Sequence, residues 1–208
     1  MRKSVRTVLA TALLFFAAAC RSDAVTDNVR YDLKTTSGWP VVAFIGSSSF
    51  APDRQSYTGD PWLRNGGYDE NSAGTPVRNL LAEGADTTHV SFDVTWFEVV
   101  TRNVYSASLD VDLKTLKRDP IATDFNVLIF RISPDGIVQA VTYDESYPPK
   151  EPPASAITVA QACGVPTRLD EDKRDSLAFA LELMESNEDV GDWFAHRWDD
   201  ADIPTHCN

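Results

Sequence analysis

Residues 89–113 read HVSFDVTWFEVVTRNVYSASLDVDL. In the first half Val90, Phe92, Val94 and Trp96 alternate with Ser91, Asp93 and Thr95; after Arg102-Asn103, the residues Tyr105, Ala107, Leu109, Val111 and Leu113 alternate again. A period of two belongs to strands, whose successive side chains point to opposite faces. Two such runs about a short polar turn predict a β-hairpin with one buried face. Downstream, Asn126 to Ile132 (NVLIFRI) is apolar nearly throughout and predicts a more fully buried strand. Ser133-Pro134-Asp135-Gly136 then signals a turn, because Pro presets φ and Gly accepts φ > 0. Ile137 to Tyr143 is expected to return as the partner of that strand.

Upstream, Trp39 to Ile45 (WPVVAFI) reads as a first strand that stops at Gly46-Ser47-Ser48-Ser49. From Phe50 to about Glu83, glycines and prolines break every period and a loop-rich stretch is expected. Beyond the hairpins, Tyr147 to Pro153 (YPPKEPP) cannot pair in a sheet, since Pro lacks the N–H donor. Leu169 to Glu185 then changes period. Leu177, Ala180, Leu181 and Met184 form one helical stripe, and Asp170, Glu171 and Asp172 suit the first turn of a helix dipole. The expected fold is α+β: an antiparallel β-sheet or sandwich, a proline linker and a C-terminal helical segment.

The N-terminus carries an address. Arg2, Lys3 and Arg6 precede an apolar run from Val8 to Ala19. That run is too short for a membrane span, which needs about 20 residues, and it has the build of a secretory signal peptide. Ala17-Ala18-Ala19-Cys20 resembles the lipobox of bacterial lipoproteins, in which the cysteine is acylated and becomes the mature N-terminus. The resemblance implies lipidation at Cys20 and a stable membrane anchor, since each buried CH₂ adds about 0.8 kcal/mol. Arg21, rather than Asp, at the next position suggests the outer membrane, with the protein facing the periplasm. The expected division is therefore a lipoprotein signal peptide at 1–19, a tether at 20–30, an antiparallel β domain at 31–146, a Pro-rich connector at 147–153 and an acidic helical segment at 154–208. With Cys20 acylated, Cys163 and Cys207 remain, and in an oxidising compartment they are expected to pair. Two separate buried thiols are the alternative. A bridge would close a loop of about 44 residues, worth roughly 3–4 kcal/mol in the chain-entropy account.

The chain has 208 residues, 19 of them basic and 31 acidic, for a formal charge of −12. Nucleic acid is excluded as a partner, because phosphate binding needs clustered Lys and Arg. From Pro166 to Asn208 twelve acidic residues face four basic ones, with Trp193, Phe194 and Trp198 among them. Aromatic anchors in a one-signed field suit docking of an opposite-signed protein; inward-folded aromatics under solvating charges are the plainer reading. Trp193, Trp198, Asp199 and Asp200 are the candidate contact residues for a basic or neutral protein partner.

No enzyme signature stands out, and no cofactor motif. Gly46-Ser47-Ser48-Ser49 lacks the second Gly of a nucleophile elbow. Asp69 to Leu80 fails as a calcium loop at its fifth and twelfth positions. His196 and His206 lie near Asp199, Asp200 and Asp202 in no recognised metal-ligand spacing, so a solvated acidic tail is expected there.

Residues 30–145 are similar to a family of proteobacterial lipoproteins, the domain of unknown function 2931. A Trp-containing strand (Trp96), a Tyr-containing strand (Tyr105), a hydrophobic strand with Phe130 and a P-x-G turn (Pro134, Gly136) carry the likeness. The acidic tail and its two cysteines lie outside it. The resemblance implies no enzymatic activity. Some members are thought to lie beside secreted antibacterial effectors, which implies an immunity role: a lipoprotein that blocks a toxic lipase or wall hydrolase. A structural or assembly lipoprotein of the envelope is the alternative, and a periplasmic hydrolase the third reading.

Overall fold

A computed structural model of the chain describes residues 28–36, 39–47, 62–64, 75–77, 88–144, 155–186 and 205–207, with 62–64, 75–77 and 183–186 described by backbone alone. The strands are β1 (Val29–Thr35), β2 (Val41–Gly46), β3 (Trp62–Arg64), β4 (Thr75–Val77), β5 (His89–Glu98), β6 (Val104–Asp112), β7 (Asn126–Ile132), β8 (Ile137–Thr142), β9 (Ile157–Cys163) and β10 (Val165–Pro166), followed by the helix α1 (Glu171–Ser186). They form two five-stranded sheets, ordered β4-β1-β7-β8-β9 and β10-β6-β5-β2-β3.

The β5–β6 hairpin forms in the expected register, with Trp96 opposite Tyr105 and Phe92 opposite Leu109. Its turn closes with the Glu98 N–H on the Asn103 carbonyl at 2.9 Å, and Arg102 takes φ +58°. Val90, Phe92, Val94 and Trp96 are all fully buried. The β7–β8 hairpin also forms: Ile132 pairs with Val138, and Gly136 takes φ +77°, a region that costs a side-chain-bearing residue strain.

One apolar core joins the two sheets. Tyr31 and Leu33 from β1, Phe130 and Ile132 from β7, and Val138 and Ala140 from β8 meet Val41, Ala43, Phe92, Val94 and Trp96 of the other sheet. Phe92 and Phe130 pack edge to face at 5.2 Å, the arrangement that the ring quadrupole favours. Helix α1 covers the outer face of the second sheet, burying Leu177 and Ala180 against Val42 and Phe44 of β2.

Four expectations need correction. The sheets are not wholly antiparallel, because β1 runs parallel to β7 along its whole length. Strand β1 begins at Val29 and so takes the last two residues of the expected tether; Val29, Tyr31 and Leu33 alternate with Arg30, Asp32 and Lys34, a strand period that the reading of a polar tether passed over. The broken stretch 50–83 holds two short strands, β3 and β4, which pair with β2 and β1. The segment 154–208 is not simply helical: β9 pairs with β8 and β10 with β6 before α1 begins. The edge strand β9 is half exposed, and its sequence (ITVAQAC) is apolar without the alternation that marks one buried face. Residues 147–153, read as a proline linker, lie outside the described residues. Among the described residues, no helix is long and apolar enough to cross a membrane.

Candidate functional site

Two features stand out, one on the surface and one at the end of the sandwich. The first is the outer face of α1. Asp170 caps this helix by accepting the Lys173 N–H at 2.8 Å, and the Lys173 side chain pairs with the same carboxylate. These contacts, the Lys173 side chain foremost, hold the Asp170 carboxyl below the usual carboxylate range. Opposite the buried Leu177 and Ala180, the residues Asp172, Asp175, Phe179 and Glu182 follow one another at three- and four-residue steps and share a face. All four are exposed, and Phe179 is 60% exposed. A large apolar ring thus stands in water within a row of carboxylates.

The second feature lies where β5, β6, the β7–β8 turn and the C-terminal residues meet. Glu98 ends β5 and is 2% exposed. The Thr101 hydroxyl donates to its Oε2 at 2.8 Å. The indole N–H groups of Trp96 and Trp39 lie close enough to the carboxylate to favour its charged form. Burial outweighs these contacts and the attraction of His206, and pushes the Glu98 carboxyl up. The second oxygen, Oε1, has no hydrogen-bond partner among the described residues. Next to it the Tyr105 phenol is also pushed up, by burial first and by the Glu98 charge second.

His206 closes this end. Its ring stacks on Tyr105 with centroids 4.0 Å apart. It also lies flat on Gly136, where an added Cβ would fall 1.8 Å from Nε2. Two further contacts tie down the strap that carries it: the Cys207 N–H donates to the Asp135 carbonyl at 2.7 Å, and Cys207 is bridged to Cys163, with Cα atoms 5.8 Å apart. Between β9 and β10, Gly164 carries the chain from one sheet to the other; a Cβ there would fall 2.3 Å from the Trp96 ring.

The expected disulfide is therefore present. The expectation of a solvated tail fails at His206, which is half-buried between Tyr105 of β6 and Gly136 of the β7–β8 turn. Ser47 donates its hydroxyl to the Ser91 carbonyl, and His89 is an exposed residue at the start of β5. Cys20, Trp193, Trp198, Asp199 and Asp200 lie outside the described residues. Sequence reasoning missed Glu98 and the His206–Tyr105 stack, because their meeting depends on the bridge and on sheet pairing. The available signal was Glu98 itself, a carboxylate at the end of an otherwise apolar face.

The sulfur atoms of Cys163 and Cys207 and a ring nitrogen of His206 all lie within 4.8 Å of one another. In the bridged state the sulfurs are bonded to each other and offer no thiolate. No family model, no curated protein and no solved structure matches the chain.

Proposed function

We propose that this protein is a lipid-anchored, periplasm-facing binding module that docks a basic protein through its acidic C-terminal part, and that the partner is a secreted antibacterial effector whose activity it blocks. Exposed Phe179 within the row Asp172, Asp175 and Glu182 is the observation that carries the docking part. A large apolar side chain kept in water suits an anchor that is desolvated only on binding. The surrounding carboxylates steer an oppositely charged surface and reject a like-charged one. The helix is set rigidly enough for this, since Leu177 and Ala180 seat it on β2. The lipobox-like Ala17 to Cys20 supports the anchor, and the resemblance to lipoproteins found beside effectors supports the choice of partner.

The test is co-expression in the periplasm with each secreted toxin encoded in the neighbourhood of this gene, followed by recovery of the complex; a neighbourhood without one counts against the reading. Protection of the cells and a 1:1 complex are expected. Phe179→Ala should weaken that complex by roughly 10-fold or more, the size of an interface anchor above about 1 kcal/mol. Reversal to Lys at Asp172 and Asp175, or at Asp199 and Asp200, should slow association and flatten its salt dependence. Absence of both protection and complex would remove the reading.

A further inference from the structure

We propose that reduction of the Cys163–Cys207 bridge turns the C-terminal strap into a site for a borderline-soft divalent cation such as Zn²⁺, with two thiolates and the His206 imidazole as ligands. The donor set is already gathered: both sulfurs and a ring nitrogen lie within 4.8 Å of one another, and Cys207 Sγ stands 4.0 Å from His206 Nδ1. A tetrahedral ion with bonds of about 2.0–2.3 Å holds its ligand atoms about 3.6 Å apart. The imidazole is near that spacing. The two sulfurs must separate when their bond is cut, and Cα atoms 5.8 Å apart leave both within reach of one ion.

Contacts other than the bridge position each donor. Cys163 is paired to Ile137 across β9 and β8. The Cys207 N–H is held by the Asp135 carbonyl at 2.7 Å. The His206 ring is held between Tyr105 and Gly136. With the sulfur–sulfur bond cut, these contacts still hold the backbone of both cysteines and the His206 ring near one another. His206 Nε2 is buried and has no hydrogen-bond partner among the described residues, whereas Nδ1 is the nitrogen beside Cys207 Sγ. Nδ1 also lies 3.1 Å from the Cys207 carbonyl and donates to it in the bridged state, so ligation through Nδ1 requires that contact to give way and the ring proton to pass to Nε2. Two soft sulfurs and one imidazole select zinc-like ions over magnesium or calcium, and the fourth position is left to water.

The chemistry balances simply. A dithiol reductant gives two electrons and two protons to the bridge and becomes a disulfide itself. The cation then displaces the two thiol protons as it binds the thiolates.

The experiment uses the full chain with Cys20→Ser, so that only the two bridge cysteines respond. Co²⁺ serves as the optical probe and Zn²⁺ as its competitor. The bridged protein should show no thiolate-to-cobalt band. After reduction with a phosphine, one equivalent should bind with that band, and Zn²⁺ should displace it. Cys163→Ser and Cys207→Ser should each abolish the band. His206→Phe keeps a ring on Tyr105 but offers no nitrogen, and it should weaken binding by roughly 10–100-fold or more, at least the cost of losing a supporting group around a metal. No uptake by the reduced chain would overturn the proposal. Equal affinity in His206→Phe, or in the denatured chain, would overturn it as well, since either would show loose thiols rather than a folded site.

Discussion

Buried charged residues in two places of this sandwich are handled in opposite ways. Asp32 and Lys34 lie on β1, on the face turned away from Tyr31 and Leu33, and each is 1% exposed. They meet at 2.9 Å, and Asp32 also accepts the Leu33 N–H. Glu98, at the end of β5, is as deeply buried, but a hydroxyl and the nearby indoles face it rather than a lysine. An ion pair balances charge within the fold. A carboxylate faced mainly by neutral donors keeps much of its desolvation cost and leans towards its protonated form. The first arrangement belongs to a scaffold, and the second makes the adjoining end of the sandwich sensitive to pH.

The largest expected effect comes from breaking the pair. Lys34→Met leaves Asp32 buried and uncompensated, and should cost about 3–5 kcal/mol of unfolding free energy, measured by denaturant titration. Asp32→Asn with Lys34→Met keeps an acceptor for Leu33 and removes both charges; most of that loss should return. A double variant as weak as the single one would show that the pair contributes more than mutual neutralisation.

A smaller effect is expected at Thr101→Val, which deletes the hydroxyl on Glu98 and should cost about 1–3 kcal/mol. The same variant should push the Glu98 carboxyl further up, readable by carboxyl titration in nuclear magnetic resonance.

The smallest effect is expected at Glu98→Gln. The folded pKa of Glu98 is raised, so its contribution to folding is fully present below the unfolded-state value. It is lost as pH rises through the window up to the folded value. The Gln variant should therefore be flatter across that window and at neutral pH be more stable by at most about 1 kcal/mol. A variant that lost stability at neutral pH would place Glu98 with the ion pair after all.

Both central hairpins were legible in the residues because each depends on local rules: alternation in β5 and β6, and the Pro-Asp-Gly turn between β7 and β8. Helix α1 was legible for the same reason, through its stripe and its acidic first turn. Strand β1 was passed over although its residues alternate; what the alternation could not show is that Asp32 and Lys34 are buried as well, neutralising each other. Strand β9 was missed because an edge strand takes its order from its neighbour, and its apolar residues show no alternation. Of the candidate site, the cysteine pairing was expected from the reading that sets Cys20 aside, which leaves Cys163 and Cys207. The row around Phe179 was only half legible: the acids were visible, but the exposure of the ring was not.

The sequence alone determined the strand periods, the turn chemistry and the acidic balance, since all of these can be read along the chain without knowing what it meets. Only the tertiary structure decided that β1 lies parallel to β7, that Glu98 is sealed from water, and that His206 rests on Tyr105 beside the bridge. Those facts depend on residues far apart in the chain. Their contact is set by which faces the two sheets bury together, and no local pattern encodes that choice.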